Sequence, residues 1–311
     1  MSEQPNVAAL CAGQILALLL PADRAGAPPV RDLAVSTAEA ATEAPVLAQP
    51  QLQPVDIVFI ADPVHEPALA GARLGLEDSR RSTRVAGLAP SLRDFTVPDA
   101  PTLGAALSTT LGDGAGFFVL ALSDELLNPA LDQLSERDVL VMNLAAAADG
   151  RRGPPCVGGA FHIAPSLAQR EAARRAAGMP DGEVLLWVPG LQRYAAGQLT
   201  SRFLTEAGRS MRSEDWAAWF AVGALARALA VERTADPGAV RAWLGADTTR
   251  LHNYKGAASH FDPSTYQLQQ PLFVRAGDGS IATVPAEALG EAPAALASAS
   301  TRPAAASCAP R

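Results

Sequence analysis

The sequence predicts an α/β fold built on a parallel sheet. Three observations lead there. Residues 55–61 (VDIVFIA), 116–122 (GFFVLAL) and 138–145 (DVLVMNLA) are short apolar runs of strand length, as expected of strands buried on both faces. Helical stretches separate them, so strands and helices alternate as in βαβ units. The 311 residues are 49% hydrophobic and 18% charged, enough for a sizeable core and too apolar for global disorder.

The elements follow in chain order. Residues 7–20 (VAALCAGQILALLL) form an apolar run shorter than the roughly 20 residues a spanning helix needs. Ala22 and Ala25-Gly26-Ala27 then supply small residues for cleavage, so residues 1–27 read as a signal peptide. The opening MSEQPN carries no Lys or Arg, and an N-terminal helix docked on the fold is the other reading. Residues 28–54, rich in Ala, Pro, Thr and Gln, read as a linker. After the first strand, residues 67–80 predict a helix with Leu69, Ala72 and Leu76 on one face and Arg73, Glu77 and Arg80 on another. Helices are expected at 101–111, 124–136 and 166–177, a strand at 183–188, and helices at 195–207 and 213–233. The last opens at Ser213 as cap, with acids in its first turn. Trp216, Phe220, Gly223, Leu225 and Leu229 form its apolar face. Asp236-Pro237 signals a further helix start. Residues 272–276 and 280–286 flank Gly277-Asp278-Gly279, a hairpin signature. The Ala-, Ser- and Pro-rich residues 291–311 read as a flexible tail.

Composition and motifs exclude several functions. The net charge is −7, so no basic surplus exists for a nucleic-acid backbone. Lys255 is the only lysine. Cys11, Cys156 and Cys308 form no C-x-x-C pair. No G-x-S-x-G, H-E-x-x-H or Walker A pattern occurs. Gly112-Asp113-Gly114-Ala115-Gly116 leaves a helix and enters a strand, the reverse of a dinucleotide loop, and reads as a helix cap and turn. His252, His260 and Asp262 have no metal-ligand spacing and read as loop residues. Asp62 and His65 follow the first strand and can serve as acid and base, but no catalytic partner is visible. The expectation is a protein with no catalytic residues, no metal and no redox cofactor.

Four ordered segments carry a resemblance. ALAGARLGLEDSR (68–80), CVGGAFHIAPS (156–166), GQLTSRFLTEAGRSMRSEDWAAWFAVGAL (197–225) and YKGAASHFDPSTYQLQQPLFV (254–274) are similar to signature stretches of the branched-chain amino acid class of ABC-transporter periplasmic substrate-binding proteins. The last resembles the subgroup linked to pyrroloquinoline-quinone-dependent alcohol oxidation systems. Two departures stand out. Gln269 stands where the family usually has Arg, and Ser166 and Gln198 are only 32 positions apart where the family runs through further strands and helices.

The resemblance implies two Rossmann-like lobes with parallel sheets, the second reduced. Lobe one would span 50–150 and 197–248, and lobe two 151–196 and 249–290. Ligands of open parallel sheets sit beyond the carboxyl ends of the strands, here Asp62–His65, Ser123-Asp124 and 143–146. The candidate ligand-binding residues are Ser123, Asn143, Asp62 and His65, with Trp187 and Tyr194 closing from the other lobe. Turn or cap roles for Ser123 and Asn143, and core roles for Trp187 and Tyr194, are the competing readings. The implied function is a monomeric periplasmic solute receptor that delivers a small polar molecule to a permease and ATPase at the inner membrane. The alternative is an accessory or scaffold protein of a quinoprotein alcohol oxidation system that has lost ligand binding with its shortened lobe. Signal cleavage would leave Cys156 and Cys308, and an oxidising compartment favours their pairing. The family's cysteine positions point the same way. A buried Cys156 thiol with Cys308 unpaired is the other outcome.

Overall fold

The computed structural model describes residues 51–152 and 160–290. The signal peptide, nearly all of the linker, the 291–311 tail and the Cys156–Cys308 pairing lie outside the described residues.

A five-stranded sheet organises the first part of the chain. It comprises β1 (Gln53–Ala61), β2 (Leu88–Thr96), β3 (Phe117–Ala121), β4 (Leu140–Asn143) and β5 (Phe161–His162), in the order β2-β1-β3-β4-β5. Every pair is parallel, with Ile57 opposite Phe117 and Phe117 opposite Leu140. The helices explain why β1 is apolar throughout. Val55, Ile57, Phe59 and Ala61 pack on α1 (Leu69–Val85) and α6 (Ser213–Glu232), while Val58 and Ile60 pack on α2 (Ala100–Gly112) and α3 (Asp124–Leu134). α7 (Pro237–Leu244) starts as the sequence predicts, with the Asp236 carboxylate accepting Ala239 N–H at 2.7 Å.

Two strands of this sheet escaped the sequence reading. β2 is an edge strand with half-exposed Arg93 and Asp94 and a proline at position 90, so it lacks the apolar run that marked its neighbours. β5 is two residues long. α1 also runs to Val85, beyond its expected end.

A second sheet follows α4 (Leu167–Ala177). It has the order β10-β9-β6, from β6 (Glu183–Leu185), β9 (Leu272–Arg275) and β10 (Ile281–Val284). Both pairings are antiparallel, which corrects the expectation of a parallel sheet here. For β9 and β10 the physical reason is the predicted hairpin itself: the short Ala276–Ser280 connection cannot return a strand in parallel. α4 covers this sheet, capped by Ser166, whose hydroxyl accepts Gln169 N–H at 3.0 Å. β7 (His260–Phe261) and β8 (Leu268–Gln269) form a small pair beside β5.

The backbone passes between the two sheets at Ile163–Ser166, at Leu186–Ala195 leading into α5 (Ala196–Ala207), and at Gln270-Pro271. Lys255 Nζ donates to Leu186 O at 3.1 Å, Pro271 O at 3.1 Å and Gln270 Oε1 at 2.6 Å. Gln270 Nε2 donates in turn to Ile163 O at 2.8 Å.

α1 and α6 approach backbone to backbone. A Cβ on Gly71 would stand 1.9 Å from Asp215 O, and one on Gly75 2.5 Å from Trp219 O. By contrast, a Cβ on Gly223 of α6 would meet nothing within 4 Å. Gly71→Ala is therefore expected to cost about 3 kcal/mol or more through overpacking. Gly223→Ala should be neutral or stabilising by up to about 1 kcal/mol, because it removes unfolded-chain entropy. Urea unfolding of the two variants checks this contrast.

Candidate functional site

The carboxyl ends of β1 and β3 meet at Asp62. Its Oδ1 accepts from Val64 N–H at 3.2 Å and His65 N–H at 3.0 Å, and contacts His65 Nδ1 at 2.7 Å. Oδ2 accepts Ser123 N–H at 2.9 Å. Burial acts to raise the Asp62 pKa, but the Ser123 N–H and the His65 contacts outweigh it, and the carboxyl lies below its ordinary value. Asp62 thus ties the first strand end to the start of α3. Ser123 is the α3 N-cap in extended conformation, yet its hydroxyl makes no capping bond.

Asn143 performs a similar task at β4. Its Oδ1 accepts Ala145 N–H at 3.3 Å and Ala146 N–H at 3.1 Å, and its Nδ2 donates to Ala146 O at 2.8 Å and contacts His162 Nδ1 at 3.0 Å. Behind this turn lies Arg152. It donates to the carbonyls of Ala146 at 2.6 Å, Ala148 at 3.2 Å and Ala164 at 2.7 Å, and also bonds Gln267 Oε1. Burial pulls its pKa down to about 10.

A cavity of about 740 Å³ opens between these loops and the antiparallel sheet. His65, Ser123, Asp124 and 144–147 form one wall. Arg170 and Arg174 of α4, with 183–190, Arg275 and Ile281, form the other, and Arg212–Glu214 at the start of α6 close one side. The structure thus brings His65, Ser123 and Trp187 to one cavity. Asp62 and Asn143 do not line it; they are buried, with their polar atoms held in the loop bonds just described. Tyr194 also stays off it, exposed on the surface. Trp187 is 1% exposed, stacks on Trp216 at 6.4 Å between ring centroids, and leaves its Nε1 buried without a hydrogen-bond partner.

Ser213 corrects its predicted role as cap. Arg212 holds the N-cap position of α6, and the Asp215 carboxylate accepts Arg212 N–H at 2.8 Å. The Ser213 hydroxyl instead accepts Leu186 N–H at 3.0 Å and Trp187 N–H at 3.3 Å, docking the chain after β6 onto α6. Sequence reasoning also missed Arg170 and Arg174. Their i,i+4 spacing on a predicted helix was the available signal, hidden in a chain whose cations are nearly all arginine. His252 sits in a separate hollow beside α1 and α6, away from His260 in β7. Among the described residues, no group of three or more His, Cys, Asp or Glu could hold a metal ion.

No protein-family model matches the chain, and no curated protein matches it in sequence. Solved structures do match. A periplasmic binding protein from Burkholderia mallei aligns with a TM-score of 0.64 at 12% identity, over 77% of this chain and 96% of its own. A leucine-, isoleucine-, valine-, threonine- and alanine-binding protein from Brucella ovis, in its closed conformation, aligns at 0.62 and 11%, over 77% and 97%. A solute-binding protein of an ABC transporter from Rhodopseudomonas palustris, in complex with 3,4-dihydroxybenzoic acid, aligns at 0.60 and 9%, over 75% and 98%. At these identities the likeness is one of fold. The chain has the α/β fold of type I periplasmic binding proteins.

The Asp62 network carries a pH prediction. A carboxyl with a lowered native pKa adds stability that is fully present above its unfolded value, near 3.8, and is lost as pH falls through the lower native value. Asp62→Asn should therefore cost about 2 kcal/mol at pH 7, the scale of hydrogen bonds to a charged group. The gap should close below pH 3.8. Urea unfolding from pH 7 to pH 2 tests it; a gap constant across that range would contradict the assignment.

Proposed function

We propose that this protein is the periplasmic solute-binding component of an ABC transporter. It would bind a small polar molecule between a lobe built on the parallel sheet and a smaller lobe built on the antiparallel one, then deliver it to a permease and ATPase at the inner membrane. The observation that carries this reading is the cavity of about 740 Å³ at the carboxyl ends of β1, β3 and β4, where open parallel sheets take ligands. The fold shared with ABC-transporter binding proteins supports it.

In this reading Ser123 and His65 face the ligand from the first lobe and Trp187 backs it from the second. Asp62 and Asn143 shape the loops that carry them. The resemblance of residues 254–274 supports the finer placement beside quinoprotein alcohol oxidation systems. The scaffold alternative is disfavoured, because it needs a face without a two-walled cleft.

Thermal-shift screening of the purified protein against amino acids, alcohols and organic acids tests the reading, with at least one class expected to raise the melting temperature. For that ligand, Ser123→Ala should weaken binding about tenfold with little change in the free protein's melting, since losing one polar contact costs roughly 1–3 kcal/mol. If no class shifts the melting temperature, the solute-binding assignment fails.

A further inference from the structure

Two guanidiniums line the cavity from α4 without a carboxylate in contact, and a third lies behind its loop wall. Arg170 and Arg174 line it from α4. Arg170 Nε donates to Pro165 O at 3.3 Å and Arg174 Nε to Gly182 O at 2.9 Å. Arg152 lies behind Ala146 and bonds only carbonyl and amide oxygens. Among the described residues, none of the three forms an ion pair within 4 Å. They act on one another: burial first, then the charge of Arg174, lowers the Arg170 pKa, and Arg170 adds to the burial that lowers Arg152. The charges of Asp124 and Glu214 offset this at Arg170, and those of Asp149 and Asp124 at Arg152.

Several other groups at the cavity have a donor to offer. Guanidinium and indole N–H groups only donate. The Ser213 oxygen already accepts two backbone N–H groups, which leaves its proton to offer. The Ser123 hydroxyl makes no cap bond. Trp187 Nε1 is a buried donor with no acceptor. Of the three carboxylates that line the cavity, Glu183 pairs with Arg275, Asp124 Oδ1 accepts Ala148 N–H at 2.9 Å, and Glu214 acts through its charge on Arg170.

Building on the solute-binding reading above, we propose that the cavity takes a small organic acid as its anion, with the carboxylate between Arg170 and Arg174 and no ammonium group. A carboxylate supplies the acceptor oxygens that these donors lack, and two guanidiniums give it charge-assisted bonds. A zwitterionic amino acid would bring a further cation into a region that already holds Arg152, Arg170 and Arg174.

The test is calorimetry and thermal shift on the purified protein with butyrate, benzoate and succinate, set against leucine, butanol and inorganic phosphate. At least one acid should bind, and leucine and butanol should not. Arg170→Gln/Arg174→Gln should weaken that acid at least tenfold while the free protein melts as before, and rising salt should weaken it in the parent protein. Should the double variant fail to fold, Arg170→Gln alone carries the same expectation. Leucine binding that is unchanged in the arginine variants would overturn the anion proposal and leave solute binding intact. Phosphate binding as tightly as the best acid would overturn the organic-acid class. Binding by none of the six would overturn the proposal; the failure of solute binding itself would require the broader screen to be silent as well.

Discussion

The ammonium of Lys255 holds together the three places where the backbone passes between the two sheets. It bonds Leu186 O and Pro271 O directly and reaches Ile163 O through the Gln270 side chain. It also sits 3.7 Å from the centroid of the Trp216 ring. Burying a cation is costly, and burial pushes the Lys255 pKa well below 10.5. Three oxygens and an aromatic face offset that cost. A residue without three donors on a long stem could not reach all these partners from one point, so the chain's single lysine is not interchangeable with its many arginines. The passages fix how α4 and the antiparallel sheet stand against the parallel sheet. They therefore fix the width of the cavity.

The α1–α6 contact anchors the same region from the other side. Gly71 and Gly75 let the two backbones touch, which sets the height of α6 against the parallel sheet. Asp215, fully buried in the first turn of α6, accepts from Arg209 at 2.6 and 2.8 Å, and Arg209 also donates to Pro67 O at 2.9 Å. That pairing raises the Arg209 pKa, chiefly through its hydrogen bonds to Asp215. The start of α6 is thus pinned to the entrance of α1. Ser213, one turn position away, can then hold the chain after β6 through two backbone N–H groups. A helix fixed by close packing against α1 thus also positions Trp187 on the cavity wall.

Much of this was readable from the residues, and the exceptions have physical causes. β1, β3 and β4 are buried on both faces and showed as plain apolar runs. β2 did not, because an edge strand can carry Arg93 and Asp94 in half-exposed positions. The Gly277-Asp278-Gly279 hairpin shows in the sequence, and its short connection makes β9 and β10 antiparallel whatever the first sheet does. At the site, position relative to strand ends picked out Asp62, His65, Ser123 and Asn143. It could not tell which would face the cavity, because Asp62 and Asn143 spend their polar atoms on their own loops. Arg170 and Arg174 went unseen because a helix surface rich in Arg looks like an ordinary solvated face.

The two walls of the cavity consequently do different work. The parallel-sheet wall is made of loops that satisfy themselves: Asp62 binds three backbone N–H groups and Asn143 two. Such loops have little left to offer beyond the Ser123 hydroxyl and the His65 ring. The α4 wall is the reverse. Arg170 and Arg174 each use one nitrogen to hold a carbonyl and keep the rest of the guanidinium uncommitted. Selectivity between solutes follows from the groups whose bonds are still unmade, since those are the ones whose energy changes when a ligand arrives. Under the proposed solute-binding reading, the chemical character of the ligand would be set by α4 and the short antiparallel sheet, with the parallel sheet as the floor against which it is read.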